Sequence, residues 1–585
     1  MKQNQTDRKA KVWNSVIILL SIAGLIVCIA VLFPQTRQMI MNLVNHFLGR
    51  ELGMFQSWSN FLMSLAMGGV FLILFFDYCV FTNSGRTLVR NVKQEIKDCV
   101  SEIDFRSFRK PVLLLSGIYF LGIITIIRAN YTYLDDIGRS IEGLRGWYNW
   151  SRYISEFLSI FIHADANLTD ISPLPQLLAV LILSVSSVFL VYVVGNKKIT
   201  VIRLLASIPV GLSPFFLECI SFKFDSPYMA LSVWASIFPF LFVARKKAFA
   251  FVSIISLLIM CMTYQATSGI YIMIVIMLGF QYWNRGEKTN KEILSFIGTS
   301  AFAFCFAMLF FKFFLMRSFD AQQSTYISNT TYPMAHIIPG MLTNLKNYAL
   351  IINHNLGVIW KTGIALILIF FVIQSMSKSV HKKISSFFIS IPVLFLSFIL
   401  LYGIYLLLVV PIYSPRALIG FGVFLAVISI YIVSDLKLVA TITVIALNWC
   451  FFTFAFSYGN ALADQGRYIE FRRTIILNDL NVLYSSEQKK AMTFQIKNSI
   501  DFAPTVKNIA KHYPVIEKLV PKGYEKYRFW EYYYFPDYIQ LDYASDHFSN
   551  KNYVDYDTLN LPVVLDSYYH TIKSDGSRVL IILKH

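Results

Sequence analysis

Long apolar runs separated by short polar stretches fill the first 457 residues of the chain. Runs of this length cross a hydrocarbon core of about 30 Å, and they do so as helices because backbone at membrane depth must satisfy its own hydrogen bonds. The pattern predicts thirteen membrane segments, within a range of twelve to fourteen. They fall at about 13–33, 59–81, 111–127, 174–194, 200–218, 228–244, 248–264, 270–283, 294–315, 357–376, 386–408, 417–434 and 438–457. The 270–283 run is short enough to be re-entrant. After Tyr458 the apolar runs stop. NDLNVLYSS and RVLIILKH then read as short strands, and KKAMTFQIKNSIDFAPTVKNIAKHYPVIEKLV between them as helix and turn pieces. The expected fold class is a polytopic α-helical membrane protein in three parts. Residues 1–110 hold N-terminal helices and a basic loop, 111–457 a transmembrane domain, and 458–585 a small mixed α/β domain.

Composition excludes an ordinary soluble protein: 56% of residues are hydrophobic, 16% aromatic and only 15% charged, with a mean hydropathy of +0.56. A net charge of +18 would suit nucleic acid if it were clustered. The Lys and Arg residues are instead scattered through short loops, where they orient membrane proteins, so no nucleic-acid partner is expected. The basic loops 1–12, 82–110, 195–199, 245–247, 284–292 and 377–384 all fall on one side of a thirteen-span chain, which is the cytoplasmic side. Loops 34–58, 128–173, 219–227, 265–269, 316–356 and 409–416, and the C-terminal domain, then lie outside. Residues 13–33 are too long for the apolar core of a signal peptide, and no small-residue cleavage site follows. The seven cysteines show no metal-ligand spacing.

The centres of the apolar runs hold almost no ionisable side chain. Arg203, Lys312 and Lys361 lie toward the ends, where they can snorkel. Secondary transporters commonly carry charged or broken-helix sites at the midplane. Here acids and bases gather in external loops, which favours chemistry at the membrane surface over transport.

The densest such stretch is 128–176. Asp135 and Asp136 stand side by side, followed by Arg139, Arg145 and Arg152, with Glu142 and Glu156 among them. A partly desolvated carboxylate beside another acid suits a general base for an acceptor hydroxyl; equally, one aspartate suits the cap of a helix beginning near Ile137. The guanidinium groups suit a lipid phosphate that gains charge as it leaves, or lipid headgroups, or salt bridges to Glu142 and Glu156. Three further corners are candidates for substrate contacts or for interfacial anchors: Glu218, Lys223 and Asp225 in SPFFLECISFKFDSPY, Tyr264 and Gln265 in MTYQATSG, and Arg416 in PIYSPRALIG. His163, Asp165 and Asp170 match no standard metal motif, and no metal or other cofactor is expected. MAHIIPGMLTNLKNYALIINHN in loop 316–356 is amphipathic and reads as a lid or surface helix. The tyrosine-rich KYRFWEYYYFPDYIQLDY, NYVDYDTLN and SYYH suit sugar stacking or packing.

The run NYTYLDDIGRSIEGLRGW, then DISPLPQLLA, SPFFLECISFKFDSPYMAL, TYQATSG and SPRALIGFG, resembles the bacterial and phage glucosyltransferases of the Gtr II type, over about residues 111–435. The resemblance implies a GT-C-like fold and modification of O-antigen or a related surface polysaccharide. It implies an undecaprenyl-phosphate-linked sugar as donor, a surface glycan as acceptor, contact with membrane lipid, and a place in the bacterial inner (plasma) membrane. By the same analogy Asp135 and Asp136 match the acidic motif of the first external loop. The competing functions are a polysaccharide polymerase, another membrane transferase, and a lipid-linked sugar flippase or transporter.

Overall fold

The computed structural model describes residues 2–48, 55–316, 330–433, 438–525 and 554–584. Ten helices among them are long and apolar enough to cross a membrane: Ser15–Leu32, Leu62–Phe81, Phe105–Ala129, Leu174–Val194, Gln265–Asn284, Asn290–Leu315, Val358–Lys378, Lys383–Leu400, Pro415–Ile432 and Leu438–Leu483. The short 270–283 run is thus part of a full-length helix. The three remaining expected segments are helical but different in kind. The 200–218 run is a broken pair, Val201–Leu212 and Pro214–Ser221, bent by 57°, and counting it as one span gives eleven. The break sits at Ser213, whose ψ of 145° is extended, with Pro214 beginning the second piece; a proline opens a helix readily but cannot continue one. The 228–244 run is the shorter apolar helix Ser226–Phe242, and 248–264 is the 16-residue helix Lys246–Cys261.

The loops segregate to two ends. At one, Arg245 pairs with Glu102 at 3.1 Å, the Lys247 N–H donates to Glu95 at 2.9 Å, the Asn196 amide donates to Glu287 at 3.4 Å, and the Val380 N–H donates to the Asn284 carbonyl at 2.9 Å. Glu102, Lys197 and Arg285 line one cavity between these two groups, so five of the six basic loops are neighbours. At the other end, the Tyr133 hydroxyl donates to the Leu519 carbonyl at 2.8 Å and the Ile154 N–H to the Met262 carbonyl at 3.2 Å. These bonds join loop 128–173 to the C-terminal region and to the end of the helix that precedes loop 265–269.

Leu438–Leu483 runs unbroken for 46 residues, about 69 Å at 1.5 Å per residue, roughly twice the hydrocarbon thickness. The change in composition at 457/458 therefore falls inside one helix. Its second half buries Gln465, Ile469, Arg472, Ile476 and Leu480, a three-and-four spacing that presents one face to the C-terminal sheet. NDLNVL completes this helix and is not a strand. The sheet consists of β1 (Thr493–Lys497), β2 (Val563–Asp566), β3 (His570–Ser574) and β4 (Arg578–Leu583), in the order β1-β4-β3-β2. β1 is parallel to β4 and the other pairs are antiparallel. RVLIIL is a strand as expected, whereas TFQIK, expected within helix and turn pieces, is β1. Buried Arg472 anchors the sheet by donating from Nη2 to the Tyr569 and Lys584 carbonyls, each at 2.7 Å.

The amphipathic part of loop 316–356 is the helix Ile337–Asn355. Its Asn344 amide donates to the Leu406 and Leu408 carbonyls at 3.0 and 2.9 Å, and the Tyr348 hydroxyl to the Ile412 carbonyl at 2.8 Å, while Ile338, Leu342 and Leu350 are exposed. Residues 317–329 of this loop, the tyrosine-rich 526–543 and the first part of NYVDYDTLN lie outside the described residues.

Candidate active site

The Arg109–Ala129 helix ends at Asn130, and left-handed backbone at Asn130 (φ 45°) and Leu134 (φ 48°) turns the chain into the short helix Asp136–Glu142. Gly143 (φ 66°) stops it, with its N–H donating to the Arg139 carbonyl at 3.0 Å. Asp135 occupies the cap position, but its side chain makes no capping bond.

The two aspartates have different surroundings. Asp135 is exposed. Asp136 is fully buried; its Oδ2 accepts the Lys223 N–H at 2.8 Å, and its Oδ1 has no hydrogen-bond partner among the described residues. Burial pushes the Asp136 carboxyl up to about 7, against the opposing pull of the Arg139 charge and the Lys223 N–H.

The arginines divide in the same way. Arg139 forms an ion pair with Asp225, and its guanidinium lies 4.4 Å over the Trp147 ring. The Trp147 indole in turn donates to Asp225 at 2.5 Å. Arg145 pairs with Glu156 at 3.2 Å, and Glu156 also accepts the Tyr148 N–H at 3.3 Å. Arg152 lies 4.7 Å over the Tyr264 ring, and its Nε has no partner among the described residues. Burial pulls the Arg152 guanidinium below its ordinary pKa; the phenols of Tyr264 and Tyr405 and the Asp135 carboxylate oppose this, while the Arg416 charge adds to it. A buried guanidinium with no carboxylate ion pair among the described residues is expensive to maintain and is suited to an anion.

The other corners converge here. The Arg416 N–H donates to Glu218 at 2.5 Å, and the Arg416 guanidinium sits 4.8 Å over Phe222. Lys223 joins the cluster through its backbone, while its ammonium pairs with Asp170 at 3.0 Å. Gln265 donates to the Cys261 carbonyl at 2.7 Å and the Trp150 carbonyl at 3.5 Å, so it holds two loops together. His163 stacks on Phe224 with ring centroids 5.7 Å apart, and Asp165 accepts the Asn167 N–H at 2.8 Å. Among the described residues no three His, Cys, Asp or Glu side chains gather as a metal site. Sequence reasoning missed Trp147 and Tyr405. Trp147 had a signal, since it directly follows the glycines Gly143 and Gly146 that mark a turn; Tyr405, inside an apolar run, had none.

Two cavities flank the cluster. A cleft of about 830 Å³ lies between the Asp136–Glu142 helix and the outer half of Leu438–Leu483, and one of about 500 Å³ lies among Ile126, Ile127, Pro173, Lys223 and Leu462.

Residues 124–432, more than half of the chain, match the family model for glucosyl transferase GtrII. The chain belongs to the GtrII glucosyl transferase family. As a member of that family it is a glycosyltransferase, with a sugar donor and a glycan acceptor. The GtrII match contains the whole cluster from Asp135 to Arg416, whereas residues 1–110 and the C-terminal sheet lie outside it. An uncharacterized 55.3 kDa protein in the gtrB 5' region of Salmonella phage P22 is 26% identical over 448 residues, 70% of this chain and 86% of that protein. No solved structure matches the chain.

Proposed function

We propose that this GtrII protein transfers a single hexose, glucose by the family's name, from an undecaprenyl-phosphate-linked donor to a surface polysaccharide such as an O-antigen. The reaction takes place on the extracytoplasmic face of the bacterial inner membrane, in a GT-C-like scaffold. The observation that carries the reading is Arg152: a largely buried cation with no carboxylate ion pair among the described residues, beside an aspartate pair, at the end of the helices away from the basic loops.

Asp135, the accessible member of the pair, takes the proton of an acceptor hydroxyl. The freed oxygen attacks the anomeric carbon, and the bond from that carbon to the phosphate oxygen breaks with inversion, its electron pair leaving on the phosphate. Arg152, with Arg416 near it, stabilises the charge that develops there. Asp136 holds the loop by its bond to Lys223. The other charged candidates are balanced inside the fold and set positions: Arg139 against Asp225, Arg145 against Glu156.

The test is mass analysis of surface polysaccharide from cells lacking the gene and complemented with wild type, Asp135→Asn or Asp136→Asn. Wild type adds one hexose per repeat, and Asp135→Asn adds none while remaining in the membrane. Normal modification by Asp135→Asn overturns the base. A ladder of longer chains with wild type indicates a polymerase, and movement of labelled lipid-linked sugar across vesicles without product indicates a flippase.

A further inference from the structure

We propose that the 830 Å³ cleft is the subsite for the acceptor glycan chain, holding the sugars adjacent to the one that receives the hexose. The inference rests on the glycosyl-transfer reading above and adds where the polymer lies. The cleft is built on the helix that follows the aspartate pair. Ile137, Ser140 and Ile141 line it, while Asp136 and Arg139 of the same helix bind Lys223 and Asp225 instead. A chain lying in the cleft therefore passes along the helix that Asp135 begins.

The lining has the chemistry of a sugar site. Tyr131 presents a ring beside Gly466, where an added Cβ would stand 3.2 Å from the ring carbon Cδ2. Glycine at 466 thus lets the Tyr131 ring lie close against the helix at the edge of the cleft, where any larger side chain would displace it. Around it stand Asn130, Thr132, Asn460, Asp464 and Glu470, which offer both donors and acceptors to hydroxyl groups. The Arg128 guanidinium donates to Asn460 and joins the two walls. Arg467 pairs with Asp464 and Arg473 with Glu470, which leaves Arg128 as a single cation in excess along the lining. This mixture suits a neutral or weakly acidic glycan and does not suit a polyanion. The volume falls inside the range of about 300–1,000 Å³ usual for ligand sites. The neighbouring 500 Å³ cavity is lined by the Lys223–Asp170 ion pair, which the larger cleft does not reach.

The experiment uses full-length protein in detergent with polyprenyl-phosphate glucose as donor and polysaccharide purified from cells lacking the gene as acceptor. Gly466→Leu displaces the Tyr131 ring, and Asn460→Ala removes a polar wall group without adding bulk. Each is expected to raise KM for polysaccharide about tenfold or more, with kcat within about twofold and donor KM unchanged; the last reports an intact fold. An unchanged polysaccharide KM in both variants overturns the proposal. Direct binding of the same polysaccharide, measured without donor, separates the two readings. Wild-type binding that Gly466→Leu abolishes upholds the cleft even if no hexose is transferred, and wild-type protein that binds none overturns it.

Discussion

The Asp136 carboxylate accepts the backbone N–H of Lys223 at 2.8 Å, joining two loops whose residues lie 87 positions apart. This bond sets the position of the aspartate pair against the Lys223–Asp225 corner, and its partner group is a buried acid raised to about 7.

The sign of its pH dependence follows. The native state holds the Asp136 proton up to about pH 7, whereas the unfolded chain releases it near 3.9. The stability that goes with this proton is therefore full below about pH 4 and is lost as pH rises through 7. Asp136→Asn stays neutral and still accepts from Lys223, so it escapes the loss. In thermal unfolding scans the variant should match wild type below about pH 4, draw ahead as pH rises from there to 7, and exceed it by a few degrees at pH 8. An offset independent of pH would refute the titration.

Arg139 and Asp225 are a buried pair, with side chains 12% and 5% exposed. Removing either partner leaves the other charge stranded, at a cost of about 3–5 kcal/mol. Arg139→Met and Asp225→Leu should each lower Tm strongly, and the double variant should recover most of the loss. A double variant no better than the sum of the singles would mean that the pair is not coupled.

Arg152 and Arg145 should part company kinetically. If Arg152 serves the leaving phosphate, Arg152→Ala should lower kcat roughly 100- to 1,000-fold with Tm nearly unchanged. Arg145→Ala, which removes a partner of Glu156, should act chiefly on Tm. Equal kcat losses in the two variants would reject this division of labour.

Gly459 lets the Leu438–Leu483 helix meet Arg109–Ala129. A Cβ there would lie 2.4 Å from Thr125 Oγ1 and 2.5 Å from the Thr125 carbonyl carbon. Gly459→Ala should therefore destabilise by about 1–3 kcal/mol, read as a lower Tm in detergent. Wild-type Tm in that variant would place the helices farther apart than described here.

Which features the sequence revealed follows from what hydropathy can and cannot register. Apolar runs such as Leu174–Val194 declare themselves by length alone. The bend at Ser213 does not, since Pro214 lies in an apolar run whichever way the chain turns. NDLNVL reads as a strand in isolation because its apolar residues are few, yet it continues the three-and-four spacing begun at Gln465 and Ile469. β1 is hidden in TFQIK by its polar neighbours and becomes a strand by pairing with β4, which lies far along the chain. At the site, residue type marked Asp135, Asp136 and the arginines as candidates. Which charges cancel is a matter of tertiary pairing, so the contrast between Arg139 and Arg152 emerges only when the loops are assembled.

The unbroken Leu438–Leu483 helix fixes a phase as well as a distance. Adding or deleting one residue between Leu462 and Asp464 would rotate everything beyond it by about 100° and shift it by about 1.5 Å. Arg472 would then swing away from the Tyr569 and Lys584 carbonyls, and the wall carrying Asp464 and Glu470 would no longer face Tyr131. This stretch can thus vary in its side chains far more freely than in its length.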